Sequence, residues 1–383
     1  MEKHWLKSYP PGIPAEIDPN RYPSLTAMME EALQRFGDRI AFVQMDRTLQ
    51  FRDLERLSCA FGAWLQKHAG LRKGDRVALM MPNVLQYPIA LLGALRAGMT
   101  VVNTNPLYTP RELEHQLTDS GSTVILILEN FAATLQEVLA RTPIRHVIVT
   151  SIGELLGFPK GLIVDYVVRH RRKAVPAWHI PGAVRFREVL RAGRHLTLER
   201  PELTHNDLAF LQYTGGTTGV AKGAMLSHGN MVANILQAEA WIAGMLDFSK
   251  PAVAITALPL YHIFALTANA LLFMRGGWKN VLITNPRDFP GFVNELRKHP
   301  FTYISGVNTL FNALLNTPGF AQLDFSQLKC TLGGGMAVQA AVAAKWKEVT
   351  GNVLTQAWGL TETSPAACIN PPNTDFNNSI GLP

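Results

Sequence analysis

The sequence predicts an α/β fold in which the strands of a parallel sheet alternate with helices, a doubly wound architecture. Apolar runs such as TVILIL and HVIVT are continuous, which is typical of strands that are buried on both faces. Amphipathic segments, with apolar residues at spacings of three and four, lie between such runs. The chain has 383 residues, too many for one small core, so we expect two or more packed lobes.

Helices and strands follow one another in the first part of the chain. Ser24 and Thr26 precede MMEEALQRFG, which predicts a helix that ends near Gly37, and the short strands AFVQM and LQF come next. RDLERLSCAFGAWLQKHAG predicts an amphipathic helix that ends at Gly70, and DRVALMM predicts a buried strand. QYPIALLGALRAG predicts an apolar helix closed by Gly98, before the strand MTVVN.

The alternation continues to residue 150 and then breaks. PRELEHQLTDSG predicts a short helix opened by Pro110, and the strands TVILIL and HVIVT follow. Residues 161–178 then place an apolar segment beside the basic cluster 169–173 and Trp178. This pattern fits a surface helix with a solvated basic end, and it also fits an interfacial anchor on anionic lipid. The composition favours the surface helix.

Composition narrows the functional classes. Hydrophobic residues make up 47% and charged residues 17%, as in ordinary globular proteins. The net charge of +7 suits anionic ligands such as nucleotide phosphates and CoA, and an anionic membrane surface. No zinc finger, RNP pattern or basic aromatic helix is found, so we expect no nucleic-acid partner. Three distant cysteines, Cys59, Cys330 and Cys368, argue against a disulfide framework or zinc site and favour a reducing cytosol.

One stretch imitates a membrane span. Residues 252–274 contain no aspartate, glutamate, lysine or arginine, and His262 is their one histidine. Pro259 interrupts the run and polar side chains punctuate it, so we predict a buried strand, a turn and a buried helix. The polar, proline-rich first residues of the chain do not form the apolar region of a signal peptide.

The most informative segment is YTGGTTGVAKG, residues 213–223, which follows the apolar strand LAFLQ and precedes the predicted helix NMVANILQAEAWI. Its glycines let the backbone bend tightly, its threonines add hydroxyl donors, and Lys222 adds a positive charge. Backbone N–H groups, hydroxyls and a lysine together favour a polyphosphate ligand. The order of the usual P-loop is absent, and a glycine- and threonine-rich surface loop is the alternative.

Three further segments are each ambiguous alone. PLYHIFAL contains His262, either a core histidine or a catalytic one. LGGGMAV lies between the strand-like LKCT and the helical AVQAAVAAKWKEVTG, and it is either a tight turn or a surface for a planar ligand. QAWGLTETSP offers Trp358 as an aromatic face and Glu362 as a ligand for Mg²⁺, or else an ordinary helix cap.

In order and spacing, these four segments resemble the core motifs of the adenylate-forming superfamily, which includes acyl-CoA synthetases, luciferases and the adenylation domains of peptide synthetases. YTGGTTGVAKG is similar to its phosphate loop, PLYHIFAL to its aromatic and histidine motif, GGGMAV to its adenine-side turn, and WGLTETSP to its Y-G-x-T-E motif. Over essentially the whole chain, segments such as TALPLYHIFALT and NPLYTPRELEHQL resemble the bacterial long-chain acyl-CoA synthetases.

The resemblance implies the large N-terminal domain of that superfamily, with stacked, mostly parallel sheets flanked by helices. This domain would span residues 25–383 after an N-terminal arm of residues 1–24. The implied catalytic residues are Thr214, Lys222, His262 and Glu362, of which Thr214 and Glu362 would share a Mg²⁺ ion. The implied nucleotide-binding residues are Tyr213, Thr214, Gly215, Gly216, Thr217, Thr218, Gly219, Lys222, Gly333, Gly334, Gly335, Trp358, Gly359 and Thr361. Trp358 replaces the usual tyrosine, so its ring can still stack but a phenolic hydrogen bond is lost.

The implied reaction is that of an AMP-forming acid–thiol ligase acting on a long-chain fatty acid, ATP and CoA. The fatty carboxylate attacks the α-phosphorus of ATP to give acyl-adenylate and pyrophosphate, and the CoA thiol then displaces AMP. The apolar stretches 263–274 and 301–315 are candidates for the wall of an acyl tunnel. The resemblance also implies a cytoplasmic protein at the inner face of the cell membrane, and it leaves a homodimer open.

Family members continue after a segment like SIGLP with a ribose-binding aspartate, a hinge and a small domain that carries a lysine needed for adenylation. We therefore expect this chain to be the N-terminal portion of the enzyme, incomplete at its C-terminal end, and to adenylate poorly alone. A medium-chain or aryl-CoA ligase, and a nucleotide- or acyl-binding remnant without turnover, are the alternatives.

Overall fold

The computed structural model describes residues 2–215 and 220–383, and its strands form two sheets. The strands of the first sheet are β3 (Arg76–Met80), β4 (Thr100–Asn103), β5 (Val124–Leu128), β6 (His146–Thr150), β7 (Val184–Arg185), β8 (Leu208–Thr214) and β9 (Lys222–Ser227). They lie in the order β7-β6-β5-β3-β4-β8-β9. Every neighbouring pair is parallel except β8 and β9, which form an antiparallel hairpin.

The strands of the second sheet are β1 (Ile40–Gln44), β2 (Arg47–Gln50), β10 (Val253–Thr256), β11 (Lys279–Leu282), β12 (Tyr303–Gly306), β13 (Cys330–Gly333), β14 (Leu354–Gly359) and β15 (Ala366–Ile369). They lie in the order β15-β14-β13-β12-β10-β11-β1-β2. The edge pairs β1–β2 and β14–β15 are antiparallel and the remaining pairs are parallel. The predicted α/β class with mostly parallel sheets is therefore confirmed.

Helices connect these strands. The α-helices are α1 (Leu25–Arg35), α2 (Phe51–Lys67), α3 (Gln86–Arg96), α4 (Pro110–Ser120), α5 (Ala132–Val138), α6 (Lys160–Tyr166), α7 (Phe186–Gly193), α8 (His228–Ile242), α9 (Ile263–Ala265), α10 (Leu272–Arg275), α11 (Phe289–Lys298), α12 (Asn308–Leu315) and α13 (Ala340–Thr350). A π-helical segment, Leu266–Leu271, joins α9 to α10, and another, Val167–Arg171, extends α6. Short 3₁₀ turns are His4–Ser8, Pro19–Arg21, Glu129–Phe131, Leu139–Arg141 and Thr361–Thr363.

Alternate residues of the buried strands face different cores, as the pleat of a strand requires. On β3, Val77 and Leu79 belong to a central core that includes residues of both sheets and of α1, α2, α3 and α8. Ala78 and Met80 face an outer core formed with α4 and α5. On β12, Ile304 faces the other outer core, formed with α11, α12 and α13. The two sheets are therefore stacked, with helices between them and on both outer faces.

Glycines allow the closest helix contact in the central layer. A Cβ atom at Gly193 of α7 would lie 1.9 Å from the carbonyl oxygen of Ala60 in α2, far inside van der Waals contact. A Cβ at Gly93 of α3 would lie 2.7 Å from the Ser58 carbonyl oxygen, also in α2. Helix α2 therefore packs against both α3 and α7 through backbone atoms.

Several local predictions can be compared with these elements. Residues 252–274 form β10, a turn and the helix of α9 and α10, as predicted, and no helix in residues 2–215 and 220–383 is long and apolar enough to cross a membrane. Strand β9 was not predicted, and α13 begins at Ala340, later than expected. The predicted division at residue 24 falls at Ser24, whose hydroxyl accepts a hydrogen bond from Ala27 N–H at 3.1 Å and caps α1; the division itself stays a prediction.

Candidate functional site

A cavity of about 670 Å³ opens where strands of both sheets end. The four segments singled out in the sequence all contribute to its lining. They are the end of β8 with Tyr213, Thr214 and Gly215, the loop before α9 with Tyr261 and His262, the turn after β13 with Gly334 and Gly335, and the segment from Ala357 to Glu362. Because carboxyl ends of parallel strands meet at one edge of a sheet, this is the usual place for a ligand in such folds.

The hairpin of β8 and β9 brings Lys222 beside the cavity. Thr214 is the cross-strand partner of Lys222, and Thr214 itself lines the cavity. Lys222 is exposed at the first position of β9 and is not among the lining residues, although β9 packs beside the turn Thr361–Thr363. The predicted phosphate ligands Gly216, Thr217, Thr218 and Gly219 lie outside the described residues.

Tyr213 is fixed from outside the cavity. Its hydroxyl donates a hydrogen bond to Asp119 Oδ2 at 2.6 Å. Burial, followed by this carboxylate, raises the pKa of Tyr213 well above its usual value, so the phenol stays protonated. A Cβ at Gly223 would lie 3.0 Å from the Tyr213 ring, so the ring packs against the backbone of β9. These contacts hold the strand that carries Thr214 and Gly215.

His262 is the N-cap of α9. Its Nδ1 accepts a hydrogen bond from the backbone N–H of Phe264 at 3.3 Å, which places the ring proton on Nε2. The side chain is exposed, but to the cavity that it lines, and the protein around it lowers the pKa of His262 by burial. Since protonation of Nδ1 would break the cap, both effects favour a neutral imidazole with an Nε2–H donor.

Buried amides of the first sheet hold the loop before His262. Gln212 Nε2 donates to the carbonyl oxygen of Tyr261 at 2.7 Å, and Asn103 Nδ2 donates to Gln212 Oε1 at 3.0 Å. The Tyr87 hydroxyl lies within hydrogen-bond distance of two acceptors, Asn103 Oδ1 at 2.7 Å and the carbonyl oxygen of Leu260 at 2.8 Å, and its one proton is shared between them. These side chains are buried, so their hydrogen bonds are expensive to break. His262 is thus positioned by β4 and β8, although it lies beyond β10 in the chain.

The predicted glycine turn divides into two parts. Gly333 is the last residue of β13 and does not line the cavity; a Cβ there would lie 2.5 Å from Leu354 Cδ2, so the position packs closely against that side chain. Gly334 and Gly335 do line the cavity, and Gly335 has a φ of +76°, which favours glycine. The backbone beyond β13 therefore borders the cavity without a side chain.

The last predicted segment is a strand and a turn, where a helix cap was the alternative. Trp358 lies in β14 and exposes 43% of its surface, and Glu362 is exposed in the 3₁₀ turn Thr361–Thr363. Gly359 and Thr361 line the cavity with them. The Trp358 ring is accessible for stacking, and the Glu362 carboxylate is accessible to a ligand in the cavity.

Asn234 of α8 anchors the segment that follows Glu362. Its Nδ2 donates to the carbonyl oxygen of Ala366 at 2.8 Å, and its Oδ1 accepts from Ala366 N–H at 3.1 Å. The side-chain amide of Asn234 therefore satisfies both backbone groups of Ala366, the first residue of β15, as a neighbouring strand would. Thr267 Oγ1 adds a hydrogen bond to the carbonyl oxygen of Ser364 at 3.3 Å.

Most predicted residues of the described chain meet at this cavity, but several of its polar residues were not predicted. Those that line it are Asn103, Asn105, Tyr108, Gln212, Asn234 and Thr267. Asn103 and Gln212 lie at or near the carboxyl ends of β4 and β8, which is a signal that sequence alone offers. Nothing local marks Asn234, since its partner is more than a hundred residues away.

A family model described as AMP-binding enzyme matches residues 29–383. Over 384 residues the chain is 57% identical to the long-chain-fatty-acid–CoA ligase of Yersinia pestis and 56% identical to that of Escherichia coli O6:H1. Each alignment covers 100% of this chain and 68% of the relative, so the chain spans about two thirds of their length. The crystal structure of the anthranilate CoA ligase AuaEII with anthranoyl-AMP has a TM-score of 0.81 at 22% identity, covering 95% of this chain and 66% of that one, a similarity of fold.

Proposed function

Because the chain belongs to the family of AMP-binding enzymes, we propose that it binds ATP in the cavity and activates a long-chain fatty acid as its adenylate, for transfer to CoA. The observation that carries the proposal is the meeting of Thr214, His262 and Glu362 in one cavity. They lie far apart in the sequence: Thr214 ends β8 of the first sheet, whereas His262 and Glu362 follow β10 and β14 of the second sheet. The high identity to long-chain-fatty-acid–CoA ligases supports the substrate class.

The donor set suits Mg²⁺. The Thr214 hydroxyl and the Glu362 carboxylate offer hard oxygen ligands in the same cavity, which Mg²⁺ prefers and shares with phosphates. Among the described residues, no lysine, arginine or histidine forms an ion pair with Glu362. We propose that these two residues hold the ion, which when bound supplies positive charge that neutralises the phosphates.

Side chains and backbone groups of this chain align the reactants of the first step, the formation of the adenylate. A fatty carboxylate is a weak nucleophile, so its attack on the α-phosphorus depends on positioning and on neutralised phosphate charge. In this proposal the Nε2–H of His262 donates to an oxygen of the carboxylate or the α-phosphate. Lys222 and the loop N–H groups neutralise the phosphates, and Trp358 with Gly334 and Gly335 encloses the adenine. The bond to pyrophosphate breaks as the acyl–phosphate bond forms, and the CoA thiol later displaces AMP.

Nucleotide binding tests this proposal without requiring turnover. We expect isothermal titration of Mg-ATP into the purified chain to show one site. Lys222→Ala and Glu362→Ala should each weaken binding by roughly tenfold or more, since each removes a charge-assisted contact. Glu348→Ala, at an exposed position on α13, is the matched control and should leave binding unchanged. Unaltered affinity in both site variants would contradict the assignment.

Turnover is a separate measurement. ATP–pyrophosphate exchange with palmitate reports adenylation, and CoA ligation reports the second step. Adenylation at the rate of the longer relatives would contradict the expectation that this chain is weakly active alone. A series of fatty acids compared with aryl acids separates a long-chain ligase from the alternative medium-chain or aryl ligase.

We also propose peripheral contact with the inner face of the cell membrane, through α6 and the residues beside it. Phe158, Leu162, Ile163 and Tyr166 are exposed, and exposed basic residues follow at 171–173. Arg169, by contrast, pairs with the buried Glu129 at 2.8 Å. Changing residues 171–173 to glutamate should weaken binding to anionic vesicles, and unchanged binding would refute this contact. The homodimer stays a prediction, which the molecular mass in solution would test.

A further inference from the structure

The cavity extends along two helices. On α8 the lining residues Asn234, Ala238 and Ile242 recur every four positions. On the helix from 263 to 275 the lining residues include Phe264, Ala268 and Leu272, at the same spacing. Residues four apart share a face of an α-helix, and eight residues of α8 span about 12 Å. The second helix includes the π-helical segment Leu266–Leu271, so the same number of residues spans a shorter distance. The cavity therefore follows both helices for about two turns beyond the loop of His262.

The two ends of the cavity differ in polarity. Thr214, His262 and Asn234 lie at the end where the predicted motifs meet. Ile242, Leu272 and Tyr303 line it farther along the helices and strands. Tyr303 is the first residue of β12, and the last residue of that strand, Gly306, pairs with Gly333. Three residues of strand place Tyr303 about 10 Å below the glycine turn.

A layer of aromatic rings lies behind Tyr303. Its ring centroid is 4.4 Å from that of Phe273, which is 4.8 Å from that of Trp278. Trp278 in turn stacks on Phe248 at 5.3 Å. The first three rings are buried, and Phe248 lines a second cavity of about 570 Å³, together with Ala243 and Leu246. The aromatic layer therefore separates two cavities.

We propose that Ile242, Leu272 and Tyr303 form the closed end of the acyl pocket and set the longest fatty acid that binds without strain. This inference rests on the proposed function. Each methylene that enters an apolar pocket raises the affinity about fourfold, up to the length at which the chain meets the wall. A wall of interlocked rings resists displacement, because packed interiors give little on overfilling.

The test is the dependence of binding on chain length. Fatty acids from hexanoate to stearate are titrated into the purified chain in the presence of Mg-ATP, and the logarithm of Kd is plotted against length. We expect the logarithm of the affinity to rise linearly with chain length and to stop rising at one length, which we call the break. Leu272→Ala, which opens the end, should move that length upward, and Ala268→Leu, which fills the middle, should move it downward.

Controls separate a change in specificity from a loss of folding. Leu314→Ala makes the same substitution as Leu272→Ala at a buried position of α12 that does not line the cavity, so the length at which affinity stops rising should stay unchanged. A damaged fold would weaken all fatty acids together and leave the break in place. If Leu272→Ala and Ala268→Leu both bind fatty acids with an unmoved break, the inference is overturned. If wild type binds Mg-ATP but no fatty acid, the acyl part of the proposed function fails instead.

Discussion

His228 makes the stability of this protein sensitive to mild acid. It is the first residue of α8, just beyond the hairpin that carries Lys222, and it is only 1% exposed. Burial lowers the pKa of His228 to about 4 from an ordinary value of 6.5, while Asp207 opposes the shift and Lys73 and His205 add to it. The perturbation that we consider is His228→Leu, which replaces the imidazole with an apolar side chain of similar size that does not titrate.

Proton linkage gives the sign and the size of the change in the free energy of unfolding with pH. With a folded pKa below the unfolded one, the stabilising contribution of neutral His228 is complete above pH 6.5. It declines as pH falls, because the unfolded chain takes up the proton first. The full difference between 6.5 and about 4 corresponds to about 3 kcal/mol, of which about 2 kcal/mol is lost by pH 5.

The assay is denaturant unfolding at pH 7 and pH 5. We expect the free energy of unfolding of wild type to fall between these values by about 2 kcal/mol more than that of His228→Leu. His170→Gln, at an exposed position, is the matched control and should behave like wild type. An equal loss of stability in wild type and His228→Leu would refute the reasoning, whatever the stability of the variant at pH 7.

Two further substitutions test packing and the anchoring of the site. Gly193→Ala should lower the free energy of unfolding by about 3 kcal/mol, since its Cβ would lie 1.9 Å from the Ala60 carbonyl oxygen, whereas Gly37→Ala, with no atom closer than 3.9 Å, should have little effect in the same titration. Asn234→Leu removes both hydrogen bonds to Ala366, so we expect a loss of about 2 kcal/mol and weaker Mg-ATP binding by calorimetry; full affinity would show that the segment after Glu362 needs no anchor.

The central strands could be predicted because their burial is recorded in their composition. Continuous apolar runs such as β5, rich in β-branched residues and only five residues long, suit a strand that is buried on both faces. Strand β9 could not be recognised in this way. Of its six residues only Leu226 is buried, and the first two belong to a glycine- and lysine-bearing loop motif. It is a strand only because it pairs with β8.

The residues of the site likewise fall into those that could be predicted from the sequence and those that could not. Residues with unusual local chemistry, such as those around Thr214 and Glu362, could be found in the sequence, and they line one cavity. The buried amides of Gln212 and Asn234 could not, because each acts on a backbone carbonyl that is 49 or 132 residues distant. A lone polar residue in a strand or helix has many explanations until its partner is known.

The hydrogen bond that Gln212 donates to Tyr261 ties the histidine loop to β8, in a sheet to which β10 does not belong, and Tyr87 of α3 adds a hydrogen bond to Leu260. The loop can therefore take its shape only after the two sheets have packed together during folding. Amide exchange at Leu260, whose N–H donates to Asn83 Oδ1 at 2.9 Å, should accordingly be as slow as opening of the interior itself. A partly folded chain would hold its strands yet lack the ordered loop that carries His262.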